Sequence, residues 1–174
     1  MKKRYILYFF ILLFNTCTIK KDLEPPYPEF TTEGKNVAAC KINGKEWIVE
    51  NHGIISIEYL RSKYLLSFMF GHNLKNKFQD DIGIELSRSK PITENSYVLS
   101  DDNGTLNYAI AGYGITLNNY GTDSIYKGNL EIIKFDTINN IISGKFNFQA
   151  KNTKTSEVLN ITDGIFDSRF MNDY

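Results

Sequence analysis

The chain contains 174 residues, of which 42% are hydrophobic, and its 20 Lys and Arg residues balance its 20 Asp and Glu residues. This hydrophobic content is sufficient for a packed core and excludes an intrinsically disordered chain. The balanced charge excludes long-range attraction to nucleic acid, so no nucleic-acid partner is expected. With 11 Tyr, 12 Phe and few alanines, the composition favours strands joined by turns within one domain.

The N-terminus has the pattern of a secretory signal peptide. Three basic residues at positions 2–4 precede an apolar run over residues 5–14. This run is too short for a membrane-spanning helix, which needs about 20 apolar residues. Residues 14–17 then resemble the lipobox of bacterial lipoproteins. The resemblance implies cleavage before Cys17 and acylation of its thiol, with an uncleaved anchor or another cleavage site as alternatives.

Cys40 offers a competing lipobox. Val37-Ala38-Ala39-Cys40 matches the lipobox letters well, but the preceding residues 31–36 are polar. The signal peptidase needs a hydrophobic segment beside the cut, so we reject this second match. If Cys17 is acylated, Cys40 has no partner for an intramolecular disulfide, and a buried structural thiol is expected.

These signals predict three parts: a signal peptide over residues 1–16, a lipidated cysteine and tether over residues 17–34, and a β domain over residues 35–174. Prolines at positions 25, 26 and 28 favour an extended spacer. The charged residues 18–24 loosely resemble the export signal of Bacteroidota surface lipoproteins. A solvated tether is the alternative interpretation of this stretch.

Apolar runs of strand length alternate with turn residues throughout the domain. The clearest hairpin is predicted over residues 37–49, because Asn43-Gly44 tolerates the positive φ angles of a tight turn. Ile82, Ile84 and Leu86 alternate with a period of two, as in a half-buried strand. Further strands are predicted over residues 54–60, 63–70, 97–99, 105–113, 115–117, 130–135 and 141–150, and a last hairpin over residues 158–170 that turns at Thr162-Asp163.

No segment keeps a helical period of 3.6 residues over three turns. The predicted fold class is therefore all-β, an antiparallel β-sandwich of about 7–10 short strands. A small β-barrel is the alternative architecture.

Five short segments give the chain a family resemblance. They are residues 40–47, 94–99, 133–136, 142–148 and 161–167. Together they resemble a family of uncharacterised Bacteroidota lipoproteins built from one all-β domain. The resemblance implies an all-β fold and an envelope location, and it implies no activity.

The sequence contains little that indicates catalysis or a cofactor. His52 and His72 are too few and too isolated for a zinc signature, so no metal or other cofactor is expected. Asp101, Asp102 and Asn103 supply oxygen ligands that suit calcium, but an ordinary turn before Gly uses the same residues. No Gly-x-Ser-x-Gly or phosphate-binding glycine loop occurs, so a non-enzyme is expected.

Tyrosines are concentrated in the middle of the chain. Tyr108, Tyr113 and Tyr120 lie near Gly- and Asn-rich turns and are the candidate ligand-binding residues, since tyrosine can stack on a sugar and hydrogen-bond its hydroxyls. The alternative is that they fill half-buried sheet positions, where tyrosine is favoured. The single tryptophan, Trp47, is expected to be a core residue.

Two tripeptides, Asp123-Ser124-Ile125 and Asp136-Thr137-Ile138, resemble the Asp-Ser/Thr-apolar acceptor of Bacteroidota protein O-glycosylation. The pattern is short and compatible with an exported protein.

The sequence therefore predicts a lipoprotein anchored in the outer membrane through Cys17, with a non-catalytic binding or accessory role toward a glycan or an envelope protein. A structural or assembly lipoprotein that contacts only proteins is the second hypothesis. A glycan-active hydrolase with unidentified carboxylates is the third.

Overall fold

The computed structural model describes residues 26–49, 53–72, 81–101, 107–113 and 118–173. The described residues form twelve strands and one short 3₁₀ turn, Arg61–Lys63. The strands are β1 (Val37–Ile42), β2 (Lys45–Ile48), β3 (Gly53–Leu60), β4 (Leu65–His72), β5 (Asp81–Ser87), β6 (Asn95–Leu99), β7 (Asn107–Tyr113), β8 (Asn118–Gly121), β9 (Gly128–Asp136), β10 (Ile141–Asn152), β11 (Val158–Arg169) and β12 (Met171–Asn172). No helix in the described ranges is long and apolar enough to cross a membrane.

All twelve strands belong to one strongly curled sheet. Its main path runs β12-β3-β4-β5-β7-β8-β10-β11-β1-β2, and β9 pairs with both β10 and β6. The chain passes from β11 through Phe170 into β12, which pairs in parallel with β3, whereas the other strand pairs are antiparallel. The continuation of β11 therefore reaches the opposite part of the same sheet. This architecture confirms the all-β prediction and has a shape between the predicted sandwich and the small barrel.

The inner face of the sheet holds one hydrophobic core. Every second side chain of β4 and β5 packs in this core, where Phe68 lies opposite Ile84 and Phe70 opposite Ile82. Phe70 stacks on Phe146 with ring centroids 5.8 Å apart. The predicted core residues Trp47 and Cys40 are both buried, as expected. Phenylalanine rings fill the centre of the curl, so a ligand site has to lie at its margin.

The hairpin of β1 and β2 agrees with its prediction. Asn43 and Gly44 adopt positive φ angles of 49° and 81°, which the two-residue connection requires. The strands β3 and β4, which correspond to the predicted strands over residues 54–60 and 63–70, pair as a hairpin joined by Arg61–Lys63. The predicted strand over residues 115–117 lies outside the described residues.

The prediction of a hairpin over residues 158–170 is wrong. Residues 158–169 form one strand, β11, which continues through Asp163 with an extra residue in its register against β10. Asp163 has a φ of 54°, so Thr162-Asp163-Gly164 forms a bulge and not a reversal of the chain. The Thr-Asp-Gly sequence is compatible with both a reverse turn and a bulge. The long-range pairing of β11 with β1 and β10 selects the bulge.

Residues 26–36, which we call the N-terminal strap, lie against this domain. The Tyr27 hydroxyl donates to the Asp163 carbonyl at 2.6 Å, and the Lys134 ammonium donates to the Thr32 carbonyl at 3.1 Å. Further along, the Ser168 hydroxyl donates to the Asn36 side chain at 2.8 Å. The second half of the predicted tether thus follows β11 from its bulge toward its C-terminal end. The proposed boundaries at residues 16 and 34 stay predictions.

Candidate functional site

An aromatic group closes one end of the curled sheet. Tyr59 of β3 and Phe135 of β9 meet edge to face with centroids 5.1 Å apart. Phe170, between β11 and β12, contacts both rings, at 6.2 Å from Tyr59 and 5.2 Å from Phe135. Three distant parts of the chain therefore build one apolar floor.

A cleft of about 680 Å³ lies above this floor. Its walls come from the end of β3, the turn that follows it, the segment before β6 and the end of β9. The residues that line it are Tyr59, Arg61, Tyr64, Pro91, Ile92, Thr93, Glu94, Phe135 and Thr137. The cleft thus combines aromatic rings with one cation, one carboxylate and two threonine hydroxyls.

The turn between β3 and β4 supplies Arg61 and Tyr64. Tyr64 ends the 3₁₀ turn in the left-handed conformation, with a φ of 47°, and this directs the chain back into β4. Asp173 holds the turn from outside, because its carboxylate accepts hydrogen bonds from the Arg61 amide at 2.7 Å and the Ser62 hydroxyl at 2.9 Å. These bonds lower the pKa of Asp173. The C-terminal residues therefore fix the wall that carries Arg61.

The opposite wall is the segment that precedes β6. The Tyr97 hydroxyl accepts a hydrogen bond from the Thr93 amide at 2.9 Å and donates one to the Thr93 carbonyl at 2.8 Å. The Glu94 carboxylate accepts a hydrogen bond from the Phe135 amide at 3.0 Å. Both walls are therefore held by specific side-chain contacts, as expected of a preformed site.

Burial is the main influence on the pKa of the Tyr59 hydroxyl. Burial raises the pKa of Tyr59, the Arg61 guanidinium opposes this, and the nearby Tyr64 and Asp173 add to the increase. The Tyr59 hydroxyl can therefore act as a hydrogen-bond donor at neutral pH. The Arg61 side chain is exposed and forms no ion pair with another residue of the described part of the chain.

The predicted tyrosines do not line this cleft. Tyr120 is 2% exposed, and its hydroxyl donates to the Glu157 carboxylate at 2.7 Å. Tyr108 lies on the outer face of β7, where its hydroxyl donates to the Glu85 carboxylate at 3.4 Å. The side chain of Tyr113 lies outside the described residues. The structure therefore places Tyr108 and Tyr120 on opposite faces of the sheet, and their proposed role in binding stays a prediction.

The other sequence candidates are only partly described. Cys17, His52, Asp102 and Asn103 lie outside the described residues, as does the side chain of His72. Asp101 is described and is exposed. Within the described ranges, no group of three or more His, Cys, Asp or Glu side chains could hold a metal ion. The calcium alternative for the 101–103 turn stays untested.

Sequence reasoning missed the residues of the cleft. Tyr59, Arg61 and Tyr64 do share a local signal, since two tyrosines flank a short basic turn between apolar strands. Phe135 and Glu94 carry no comparable signal, because only strand pairing brings β9 and the segment before β6 to this end.

The chain matches the model of one protein family. Residues 75–168 match the family described as a domain of unknown function, DUF6252. The matched region contains Glu94 and Phe135 of the cleft, whereas Tyr59, Arg61 and Tyr64 precede it. No curated protein and no solved structure matches the chain. The family has no assigned function, which agrees with the sequence resemblance to an uncharacterised family. Because the match covers more than half of the sequence, the chain belongs to the DUF6252 family of uncharacterised domains.

Proposed function

We propose that this protein is an outer-membrane lipoprotein of a Bacteroidota bacterium, anchored by acylated Cys17, whose β domain binds a glycan of the envelope without catalysis. The observation that carries the binding role is the aromatic cleft lined by Tyr59, Tyr64 and Phe135. The lipobox-like residues 14–17 and the preceding apolar run support the anchor.

The shape and chemistry of the cleft support a sugar-sized ligand. Its volume of about 680 Å³ lies within the range usual for small-molecule sites. Aromatic rings offer flat apolar surfaces to the C–H faces of a sugar, and tyrosine adds a hydroxyl at the edge. Arg61 and the Thr93 hydroxyl add polar groups that can fix the orientation of the ring.

The one carboxylate among the lining residues favours binding over hydrolysis. Glycosidases generally use two carboxyl groups about 5–9.5 Å apart. Among the lining residues Glu94 carries the one carboxylate, and it accepts a hydrogen bond from the Phe135 amide. This carboxylate is thus engaged in holding the wall.

The path of the N-terminal strap supports a cleft that faces away from the membrane. Tyr27 contacts the bulge of β11 at Asp163, whereas the cleft lies near the other end of β11, where the Arg169 guanidinium donates to the Asn139 carbonyl at 2.7 Å. Asp163 and Arg169 lie six positions apart along β11, which corresponds to about 20 Å in an extended strand. A chain that rises from lipidated Cys17 therefore reaches the domain at the end remote from the cleft.

Binding is tested with purified domain and a panel of defined oligosaccharides that contain neutral hexoses, N-acetylhexosamines or uronic acids. We expect at least one of these to bind with a Kd in the micromolar to millimolar range by calorimetry. Tyr64→Asn removes a ring but keeps a residue that tolerates positive φ, and we expect about a tenfold weaker Kd, as loss of one aromatic contact implies. Tyr108→Asn, on the outer face, is the matched control and should bind as the parent does.

No interaction with any oligosaccharide of the panel would contradict the binding role, and an equal loss in both tyrosine variants would contradict its assignment to the cleft. The anchor is tested separately in cells by metabolic labelling with an alkynyl fatty acid. Label on the parent and none on Cys17→Ser is expected, and label on both variants would exclude Cys17 as the acylated residue. Proteinase K treatment of intact cells then distinguishes a surface-exposed domain, which is digested, from a periplasmic one.

A further inference from the structure

Two exposed turns of the domain share one structure. The first contains Asp123-Ser124-Ile125 between β8 and β9, and the second contains Asp136-Thr137-Ile138 between β9 and β10. In the first, the Asp123 carboxylate accepts hydrogen bonds from the Ile125 and Tyr126 amides, both at 2.7 Å. In the second, Asp136 accepts from the Ile138 amide at 3.0 Å and the Asn139 amide at 2.9 Å.

This geometry presents the middle residue of each tripeptide to solvent. Because each aspartate carboxylate bonds to the two amides that follow the hydroxyl residue, the hydroxyl residue lies at the apex of the turn. Ser124 and Thr137 are both exposed, and neither hydroxyl forms a hydrogen bond with another residue of the described ranges. Both hydroxyls are therefore accessible to an enzyme.

The isoleucine that follows each hydroxyl is unusually exposed. Ile138 is 90% exposed and Ile125 is 77% exposed, the two highest values among the large hydrophobic residues that the structure describes. Burial therefore contributes little to the stability of the fold at these two positions. Both side chains are accessible to an external protein that recognises the turns.

Two other segments of the same chain serve as internal comparisons. Asp167-Ser168-Arg169 is the remaining Asp-Ser/Thr pair of the sequence, but Ser168 is 1% exposed and its hydroxyl donates to Asn36. Asn152-Thr153-Lys154 forms the same kind of turn, since the Asn152 side chain accepts from the Lys154 amide at 2.8 Å and the Thr155 amide at 3.0 Å. That turn exposes a threonine but lacks both the carboxylate and the apolar residue.

We propose that Ser124 and Thr137 are acceptor sites for enzymatic O-glycosylation, recognised as an Asp-hydroxyl-Ile turn. The donor is an activated sugar, joined through C1 to a nucleotide or lipid diphosphate. The side-chain oxygen forms a bond to C1 as the bond from C1 to the phosphate oxygen breaks. The nucleotide or lipid diphosphate leaves with the electron pair, and the hydroxyl proton passes to a base of the transferase.

The charge beside each hydroxyl favours a sugar over a phosphate. Hydrogen bonds from Asn139 and Ile138 hold the pKa of Asp136 below its usual value, so this carboxylate is ionised at neutral pH. A phosphate on Thr137 would bring a second negative group next to it, which is unfavourable. A neutral sugar adds hydroxyl donors that this carboxylate can accept.

The test uses the full chain with its own N-terminal segment, produced in the organism that encodes it and analysed by intact and peptide mass spectrometry. We expect a glycan mass on the peptides that contain Ser124 and Thr137, and none on those that contain Thr153 or Ser168. The double variant Ser124→Ala/Thr137→Ala should lose all of this mass. Peptides of unmodified mass at both positions would overturn the proposal, as would a phosphate mass in place of the glycan.

Recognition of the tripeptide is tested within one molecule. Asp136→Asn keeps an oxygen that can close the turn but removes its charge, and Ile138→Ala removes the exposed side chain. Each should reduce glycan occupancy at Thr137 at least tenfold while Ser124 keeps its occupancy as an internal control. Unchanged occupancy at Thr137 in both variants would contradict recognition of the tripeptide. Because occupancy is measured as covalent mass, failure of this proposal is distinguishable from failure of ligand binding in the cleft, which Thr137 also lines.

Discussion

The Asp167 carboxylate accepts a 2.7 Å hydrogen bond from the amide of Gly34, which lies 133 residues earlier in the chain. The same carboxylate accepts hydrogen bonds from the Thr31 hydroxyl and from the Glu33 and Lys35 amides. Asp167 is 2% exposed and belongs to β11, so one buried side chain fastens the N-terminal strap to the sheet. Its four donors satisfy a charge that would otherwise be costly to bury.

Replacement of this carboxylate should destabilise the domain and release the strap. Asp167→Ala leaves the Gly34, Glu33 and Lys35 amides without their acceptor, and we expect the free energy of unfolding to fall by about 2–3 kcal/mol. Urea denaturation measures this change, and limited proteolysis should show earlier cleavage within residues 26–36. Glu33→Ala is the control, because it keeps the amide and removes a surface ion pair with Lys35, worth at most about 1 kcal/mol. Equal stability of the two variants would show that the Asp167 contacts contribute little.

Acid should weaken the same contact. Burial raises the pKa of Asp167, but the hydrogen bonds from Thr31 and the three amides outweigh it and hold the pKa below the ordinary value of 3.8. The contribution of a carboxyl with a lowered pKa is present above its unfolded value and is lost as the pH falls through its folded value. Stability should therefore decrease below about pH 4. Urea denaturation at several pH values should show a smaller decrease for Asp167→Asn, and parallel decreases would argue against this assignment.

Local patterns predicted much of the fold. The alternation of Ile82, Ile84 and Leu86 identified β5 and its buried face, and Asn43-Gly44 identified the first hairpin. The bulge of β11 could not be predicted, because Thr162-Asp163-Gly164 also suits a reverse turn. Pairing with β10 decides between the two, because Phe146 pairs with Gly164 and Phe148 with Ile161, which leaves one extra residue in β11.

The cleft depends even more on contacts between distant residues. Tyr59 and Phe135 meet because β12 joins the end of β11 to β3, which no local period reveals. Likewise, the pairing of Tyr120 with Ala111 places Tyr120 in the core and Tyr108 on the outer face. The number of tyrosines was visible in the sequence, whereas the face that each one occupies depends on strand register.

The Cys40 thiol should be unreactive in the folded protein. Its side chain is fully buried, and this burial raises its pKa to about 12, so the reactive thiolate is scarce at neutral pH. We expect Ellman's reagent to label Cys40 of a Cys17→Ser protein only after denaturation. Labelling within minutes under native conditions would show that β1 opens readily or that the thiol is exposed.

Gly144 should be among the positions least tolerant of a side chain. A Cβ atom there would meet the Glu131 carbonyl oxygen of β9 and lie 2.8 Å from the Phe166 ring. Because both neighbours are packed in the sheet, we expect Gly144→Ala to lower the free energy of unfolding by about 1–3 kcal/mol. Gly121→Ala is the matched control, since a Cβ atom at Gly121 would meet nothing within 4 Å. That variant should equal or slightly exceed the parent in stability, because alanine restricts the unfolded chain. Urea denaturation of both proteins checks the difference, and equal stability of the two would mean that β9 and β10 can separate at Gly144 at little cost.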